Sequence, residues 1–211
     1  MEFLSKAMRV IASSMKYPVI ILLLFLVAVT VFMIGWIIVE FFTERRHLKE
    51  ALPYMVDRLN EADSTDGVLH CIRTSKLLKR QKDALSELMI HPDITPLMRE
   101  SLAVRLIHQE HSFYDKRLKV SDIIAKIAPM LGLLGTLIPL GPGIIALGQG
   151  DTITLSSSLL TAFDTTILGL IAAAVAIVIS TIRSRWYDNY MSVLETLMEC
   201  ILEVEKKNAE A

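Results

Sequence analysis

The chain has 211 residues, of which 53% are hydrophobic and 21% are charged. Because 22 Lys and Arg residues nearly balance 23 Asp and Glu residues, neither a disordered segment nor a basic nucleic-acid-binding surface fits this composition. Its two cysteines are too few for a disulfide framework. The charges lie between long apolar segments, so we expect an integral protein of a lipid membrane with no nucleic-acid partner.

The first apolar segment carries no charged side chain from Tyr17 to Val39. About 20 such residues in a helix cross the roughly 30 Å hydrocarbon core of a bilayer. A cleaved signal peptide is the alternative, but the segment is too long for one and no small-residue cleavage site follows it. We therefore predict a retained transmembrane helix over 18–41, preceded by an extracytoplasmic N-terminal segment over 1–17.

Two further apolar segments follow each other closely. Residues 127–150 contain no charge, and residues 152–182 are interrupted only by Asp164. The polar, Gly-rich stretch between them is typical of a tight turn. Since backbone polar groups in lipid must be satisfied within the chain, all spans should be helical. The predicted order is transmembrane helix 2 over 123–148, an extracytoplasmic turn over 149–156 and transmembrane helix 3 over 157–183.

The distribution of basic residues predicts the orientation. Residues 42–121 hold 14 of the 22 Lys and Arg residues, whereas 149–156 hold none. The positive-inside rule then places the segments 42–122 and 184–211 in the cytoplasm and the N-terminus outside, in a cell (inner) membrane. Three basic residues before the first span favour the opposite orientation, but the basic residues of 42–121 outnumber them.

Both cytoplasmic segments carry apolar residues at helical spacing. We predict helices over Leu48–Asn60 and Val68–Ile90, and a third from Leu97 that continues into the second span. The third span likewise continues as a C-terminal helix, whose apolar stripe favours packing. This stripe consists of Tyr187, Met191, Leu194, Leu197, Met198 and Ile201. The predicted fold class is an all-α membrane protein with three transmembrane helices and long cytoplasmic helical extensions.

Sequence motifs of enzymes are absent. The chain has no Gly-rich phosphate loop, no Cys-x-x-Cys pair and no His-Glu-x-x-His motif. His108 and His111 share a helix face, but without carboxylate or thiol partners at a fitted spacing they are better interpreted as solvated histidines than as a metal site. We therefore expect neither an enzyme nor a cofactor or metal site.

Polar side chains inside the predicted spans are the candidates for function. At 1.5 Å per residue, Thr136 in span two and Thr166 in span three fall at comparable depths. Each shares a helix face with small residues, which suits either close helix packing or the lining of a narrow pore. Spacing alone favours packing slightly. The small residues expected at helix contacts are Gly132, Gly135, Gly169 and Ala173.

Two blocks of the sequence carry a family resemblance. One begins at Ala125 and reads Ala-Lys-Ile-Ala-Pro-Met-Leu-Gly-Leu-Leu-Gly-Thr; the other begins at Thr161 and reads Thr-Ala-Phe-Asp-Thr-Thr-Ile-Leu-Gly-Leu. They resemble the A-P-x-x-G-L-x-G-T and A-[LF]-x-x-T-x-x-G signatures of the MotA/TolQ/ExbB proton channel family. The order of spans and cytoplasmic segments is also similar to that family.

The resemblance implies a homopentamer around two copies of a single-span partner similar to ExbD, TolR or MotB. An aspartate of the partner would take up and release ions, with Thr136 and Thr166 beside its path. Ion flow down the proton-motive force would then drive mechanical work. A non-conducting membrane scaffold and a sodium-driven variant of the motor stay open as alternatives.

Prolines mark one departure from the family pattern. Pro139 and Pro142 occupy a stretch that is favourable to helix in relatives. Each proline lacks a backbone donor, so we expect a kink or a loosened turn in the outer half of span two.

The position of the intramembrane acid is a second departure. Thr161 stands where some relatives have glutamate, and the acid is found instead at Asp164. On an ideal helix Asp164 points about 200° away from Thr166, so we expect it between helices, near Thr30 of span one. A structural or gating role is favoured over a relay role, and Thr161 and Thr165 join it as possible pathway or gating residues.

Overall fold

The computed structural model describes residues 14–43, 65–75, 77–90 and 94–210, together with positions 3–4, 7, 10–11 and 55–56. Every regular element in this described part is an α-helix. In chain order the helices are α1 (Lys16–Thr43), α2 (Thr65–Thr74), α3 (Lys79–Met89), α4 (Pro96–Gly148) and α5 (Thr152–Glu210). Helices α1, α4 and α5 are each long and apolar enough to cross a membrane, which confirms an all-helical fold with three candidate spans.

Two of these helices continue far beyond their apolar stretches. Helix α4 runs from Pro96 through the second apolar segment, and α5 runs from the third segment to Glu210. This continuity was predicted, because no helix-breaking sequence interrupts either region. Pro129, Pro139 and Pro142 all lie inside α4, and the helix continues through them. The kink expected at Pro139 and Pro142 stays a prediction.

The chain forms two compact units. Unit 1 consists of residues 1–36 and 118–182, and unit 2 consists of residues 37–117 and 183–211. A buried apolar cluster in unit 1 joins α1 to α4 and α5. Its members and their partly buried neighbours are Val19, Leu23, Leu26, Leu131, Ile138 and Leu168. Many other large apolar side chains of unit 1 are exposed, as suits helices that are surrounded by lipid.

The connection between α4 and α5 is shorter than predicted. The turn comprises residues 149–151, not 149–156, because α5 begins early. Asp151 explains this start: its carboxylate accepts hydrogen bonds from the backbone N–H (3.0 Å) and the hydroxyl (2.5 Å) of Thr154, as an N-cap residue does. The hydrogen bond from the Thr154 hydroxyl has the largest effect and that from the Thr154 backbone N–H the next largest, and both lower the pKa of Asp151. Gly150, with φ of 78°, supplies the left-handed residue after α4.

The helix predicted over Val68–Ile90 is in fact two helices, because α2 ends at Thr74 and α3 begins at Lys79. Gln81 accounts for the new start, because its side-chain oxygen accepts a hydrogen bond from the backbone N–H of Leu78 (3.2 Å). This bond satisfies a donor at the N-terminus of α3. The helix predicted over Leu48–Asn60 lies outside the described residues, except at the helical positions 55–56.

The apolar stripe of α5 is buried in unit 2. All six of its members are inaccessible or nearly so, which agrees with the predicted packing role. The ring of Tyr187 lies 4.6 Å from that of Tyr114 on α4, centroid to centroid. The side-chain amide of Gln81 on α3 donates a hydrogen bond to the carbonyl oxygen of Tyr190 (2.9 Å). Helices α3, α4 and α5 therefore share one core.

A partly buried ion pair also joins α3 to α4. Arg80 donates from Nε and Nη2 to the two carboxylate oxygens of Glu110, both at 2.8 Å. Such a two-point contact fixes orientation as well as distance. The hydrogen bond to Glu110 raises the pKa of Arg80. The guanidinium also lies 3.5 Å from the ring centroid of Phe113, a favourable cation–π position.

A buried ion pair joins α1 to α5 in unit 2. Arg183 donates from Nε to Oε2 of Glu40 (3.0 Å), and the hydroxyl of Tyr187 donates to the other carboxylate oxygen (2.9 Å). Glu40 is 5% exposed and Arg183 is 6% exposed. Sequence reasoning missed this pair because the two residues lie 143 positions apart, and neither hydropathy nor periodicity connects them.

We predict that Glu40→Ala strongly destabilises the protein. The substitution leaves the guanidinium of Arg183 buried without its counter-charge, and breaking a buried pair in this way typically costs about 3–5 kcal/mol. The double variant Glu40→Leu/Arg183→Leu should regain most of the loss, because no unpaired charge remains. The free energy of unfolding is measured by SDS titration in mixed micelles, followed by circular dichroism.

The matched control is Asp188→Ala, at an exposed position of α5. It should change the free energy of unfolding by less than about 0.5 kcal/mol. A Glu40→Ala protein as stable as this control would show that the buried pair does not hold α1 to α5.

Candidate functional site

Helices α4 and α5 approach each other at backbone distance where glycines face across the hairpin. A Cβ atom built on Gly169 would lie 2.7 Å from the carbonyl oxygen of Ala128 and 3.0 Å from Cα of Gly132. Further along the hairpin, a Cβ atom on Gly143 would lie 3.1 Å from Cβ of Ser158. Small residues allow this approach, as in many membrane helix pairs. The glycines therefore fix both the spacing and the antiparallel register of the hairpin.

The register sets the two candidate threonines at one height. A Cβ atom on Gly135 would lie 2.6 Å from both Cβ and Oγ1 of Thr165. Gly135 immediately precedes Thr136, and Thr165 immediately precedes Thr166. Because the helices are antiparallel, the next residue on each helix moves in the opposite direction, so Thr136 and Thr166 lie within about 3 Å of each other along the hairpin axis.

Both threonines keep part of their surface accessible. Thr136 and Thr166 are half-buried. The hydroxyl of Thr136 donates to the carbonyl oxygen of Leu133 (2.7 Å), and that of Thr166 donates to the carbonyl oxygen of Ala162 (3.3 Å). A hydroxyl that donates to its own helix still has lone pairs that accept a hydrogen bond from water or from another side chain. The pair is therefore suited to orienting water without changing its own charge.

The neighbouring threonines have different surroundings. Thr165 is 5% exposed, lies against Gly135, and donates to the carbonyl oxygens of Thr161 (3.1 Å) and Ala162 (2.9 Å). This is the environment of a packing residue. Thr161 is half-buried, and its hydroxyl donates to the carbonyl oxygen of Ser157 (3.0 Å).

Ala173 is buried on α5, one turn beyond Gly169. A methyl side chain at this position continues the small-residue face of α5 past the close contact with α4. Of the four residues expected at helix contacts, all are buried in the structure.

Asp164 is exposed on α5 and is not paired with Thr30. Thr30 is 3% exposed, and its hydroxyl donates to the carbonyl oxygen of Leu26 in its own helix (2.8 Å). Because Thr165 faces α4, the residue before it is turned about 100° away from that contact. The expected contact between Asp164 and Thr30 was therefore wrong, whereas a position of Asp164 between helices stays a prediction.

Comparison with known proteins places this hairpin in a family. Residues 77–196, more than half of the chain, match the MotA/TolQ/ExbB proton channel family. The chain belongs to this family. Both sequence blocks that carry the resemblance lie inside the matched region, and so do Thr136 and Thr166.

A relative in Vibrio cholerae serotype O1 is named biopolymer transport protein exbB1. The two sequences are 29% identical over an alignment of 116 residues, and the match covers 51% of this chain and 49% of the relative. The chain thus spans about half the length of the curated relative that it matches.

A further polar contact lies in the family region but outside both signature blocks. The hydroxyl of Ser180 on α5 donates to Oδ1 of Asp122 on α4 at 2.5 Å, and both residues are half-buried. Sequence reasoning missed this contact, since Asp122 falls at the predicted boundary of the second span. The register was the available signal, because an antiparallel hairpin that pairs Gly132 with Gly169 also brings position 122 opposite position 179, next to Ser180.

We predict that Gly169→Ala destabilises the protein by about 1–3 kcal/mol, the usual effect of overpacking. The added methyl group meets the backbone of Ala128 and Gly132, which moves only if the two helices separate. Gly35→Ala is the matched control, because nothing lies within 4 Å of a Cβ atom at that position. SDS titration of both variants measures the difference. Equal stabilities would mean that the glycine contact does not determine the helix spacing.

Proposed function

We propose that this chain is the channel-forming subunit of a membrane motor driven by the proton-motive force, coupling ion flow to mechanical work. The observation that carries the proposal is the placement of Thr136 and Thr166, two hydroxyls level with each other on a family hairpin whose glycine contacts hold the helices in a fixed register. Membership of a proton channel family supports it. The name of the Vibrio relative suggests transport of a biopolymer as the work that is done.

The role of the threonines follows from their chemistry. A hydroxyl both donates and accepts a hydrogen bond and does not titrate near neutral pH. Thr136 and Thr166 thus orient water beside a carboxylate of the partner helix while that carboxylate gains and loses a proton. Each charge that crosses supplies about 2.3 kcal/mol per 100 mV of membrane potential. The chain itself performs no covalent chemistry and is not an enzyme.

The proposed assembly is a homopentamer around two copies of a single-span ExbD/TolR/MotB-like protein. Asp164 supports an assembly of more than one chain, because it is exposed on an otherwise apolar stretch of α5. An acidic side chain in a span normally faces protein or water, since exposure to lipid costs about 2.5–3.5 kcal/mol on insertion scales. A neighbouring copy or the partner helix gives Asp164 such surroundings.

The proposed location is the inner membrane, with the N-terminus outside and the C-terminus in the cytoplasm. The excess of Lys and Arg in 42–121 supports this orientation. Residues 42–122 and 184–211 then form the cytoplasmic part of the motor.

We predict that Thr136→Val and Thr166→Val each lower proton flux at least tenfold, because valine has a similar shape but no hydroxyl. The complex is purified with its partner from the source membranes and reconstituted into liposomes. A potassium diffusion potential set by valinomycin drives the ions, and internal pyranine fluorescence reports pH. Thr136→Ser and Thr166→Ser keep the hydroxyl and should retain most of the flux.

Thr181→Val is the matched control on α5. Its hydroxyl also donates to its own helix, at the carbonyl oxygen of Ile177 (2.8 Å), but it lies at an exposed position. Unchanged flux in Thr136→Val and Thr166→Val would contradict a role of these hydroxyls in the ion path, whereas a wild-type complex without flux would favour a non-conducting scaffold whose small residues serve packing only. Flux that requires external sodium, with no change in internal pH, would identify the sodium-driven variant.

The stoichiometry is a separate prediction. Native mass spectrometry of the purified complex should give five copies of this chain with two copies of a single-span protein. The copy numbers follow from the family resemblance, and the exposure of Asp164 on one chain supports an assembly of more than one chain. A complex that contains this chain alone, with no helix of another protein at its centre, would contradict the proposed motor.

A further inference from the structure

The hydrogen bond between Ser180 and Asp122 is the one carboxylate contact described between α4 and α5 within unit 1. We propose that Asp122 is an ion acceptor at the inner end of the pathway, with Ser180 as its positioning residue. The carboxylate takes up a proton that has passed the threonines and releases it to cytoplasmic water. This inference rests on the proposed function of the chain.

Position along the helices supports this role. Asp122 precedes Thr136 by 14 residues on α4, and Ser180 follows Thr166 by 14 residues on α5. Each separation is about 21 Å along the axis and about 40° around it. Both members of the pair therefore lie near the helix faces of the threonines. One hairpin carries two polar levels, a hydroxyl level at 136 and 166 and a carboxylate level at 122 and 180.

The charge environment leaves the carboxylate able to exchange an ion. On its own helix, the nearest cations in sequence are Lys119 and Lys126, one turn away on either side and both exposed. On α5, Arg183 lies one turn beyond Ser180 but is bonded to Glu40. Within the described part of the chain Asp122 forms no ion pair. A carboxylate locked to a buried cation would release that cation only at high cost, whereas a single hydrogen bond leaves Asp122 free to bind and release.

The length of the hydrogen bond indicates the role of Ser180. At 2.5 Å it is as short as a hydroxyl–carboxylate bond becomes. It fixes Oδ1, so that Oδ2 is the oxygen presented to an incoming proton. The competing explanation is that the pair only holds the two helices together, as polar side chains do in many membrane bundles. The two explanations differ in what asparagine at position 122 would do.

The test compares variants in the same liposome assay of the reconstituted complex. Asp122→Asn keeps an acceptor for Ser180 but binds no proton, and should lower flux at least tenfold. Asp122→Glu should retain at least a third of the flux. Ser180→Ala keeps the carboxylate and should lower flux only two- to fivefold. The control is Asp115→Asn, at an exposed position two turns before Asp122 on α4. The flux through this variant should equal that of the wild type.

Thermal stability of each complex separates an ion acceptor from a packing contact. Asp122→Asn should melt within about three degrees of the wild type, because the side chain of asparagine still accepts the hydrogen bond from Ser180. Wild-type flux in Asp122→Asn overturns the inference, and so do equal losses of flux and stability in Asp122→Asn and Ser180→Ala. If Thr136→Val blocks flux while Asp122→Asn does not, the inference fails and the proposed motor stands. A wild-type complex without flux overturns both.

Discussion

The backbone contact between α4 and α5 at Gly132 and Gly169 is the constraint on which the candidate site depends. Two helices meet at this distance only where neither presents a side chain, because even one methyl group would meet a carbonyl oxygen at 2.7 Å. The same contact sets the register, and the register decides which residues of the two spans are level. Thr136 and Thr166 lie within about 3 Å of each other along the axis because the glycine contacts nearby fix the alignment of the two helices. Packing and function are consequences of the same small residues.

This dependence explains why neighbouring threonines are not equivalent. Thr165 and Thr166 are adjacent in sequence, yet one faces Gly135 and the other keeps an accessible surface. The rotation of about 100° between successive helical residues separates a packing position from a pathway position. A motif that contains both residues does not distinguish them. The position of Gly135 opposite Thr165 distinguishes them, and that position is known only once the register of the two helices is known.

Hydropathy was sufficient to predict the three spans, since lipid requires about 20 apolar residues in a helix. Continuity of α4 and α5 was also predictable, because no breaker interrupts them. The early start of α5 and the break between α2 and α3 were not, since each depends on one side chain, Asp151 or Gln81, that bonds to nearby backbone. Such local bonds compete with helix propensity by amounts too small to rank from sequence. The Thr136 and Thr166 positions were found through the family signatures, whereas the Glu40–Arg183 pair required the tertiary structure.

Three acids of this chain differ in how their charge is satisfied, and the difference suggests what each can do. Glu40 is bound to Arg183 in a buried pair, so its charge is fixed and its contribution is to the fold. Among the described residues Asp122 has one short hydrogen bond from Ser180 and no ion pair, which leaves its second carboxylate oxygen open to another partner. Asp164 is exposed on one chain, where lipid alone would be a costly neighbour. A single chain thus gives the carboxylate of Glu40 all of its partners and that of Asp122 one partner. The carboxylate of Asp164 needs a polar surface, which an assembly provides. Asp164 is therefore the position at which isolated and assembled chains should differ most in their surroundings.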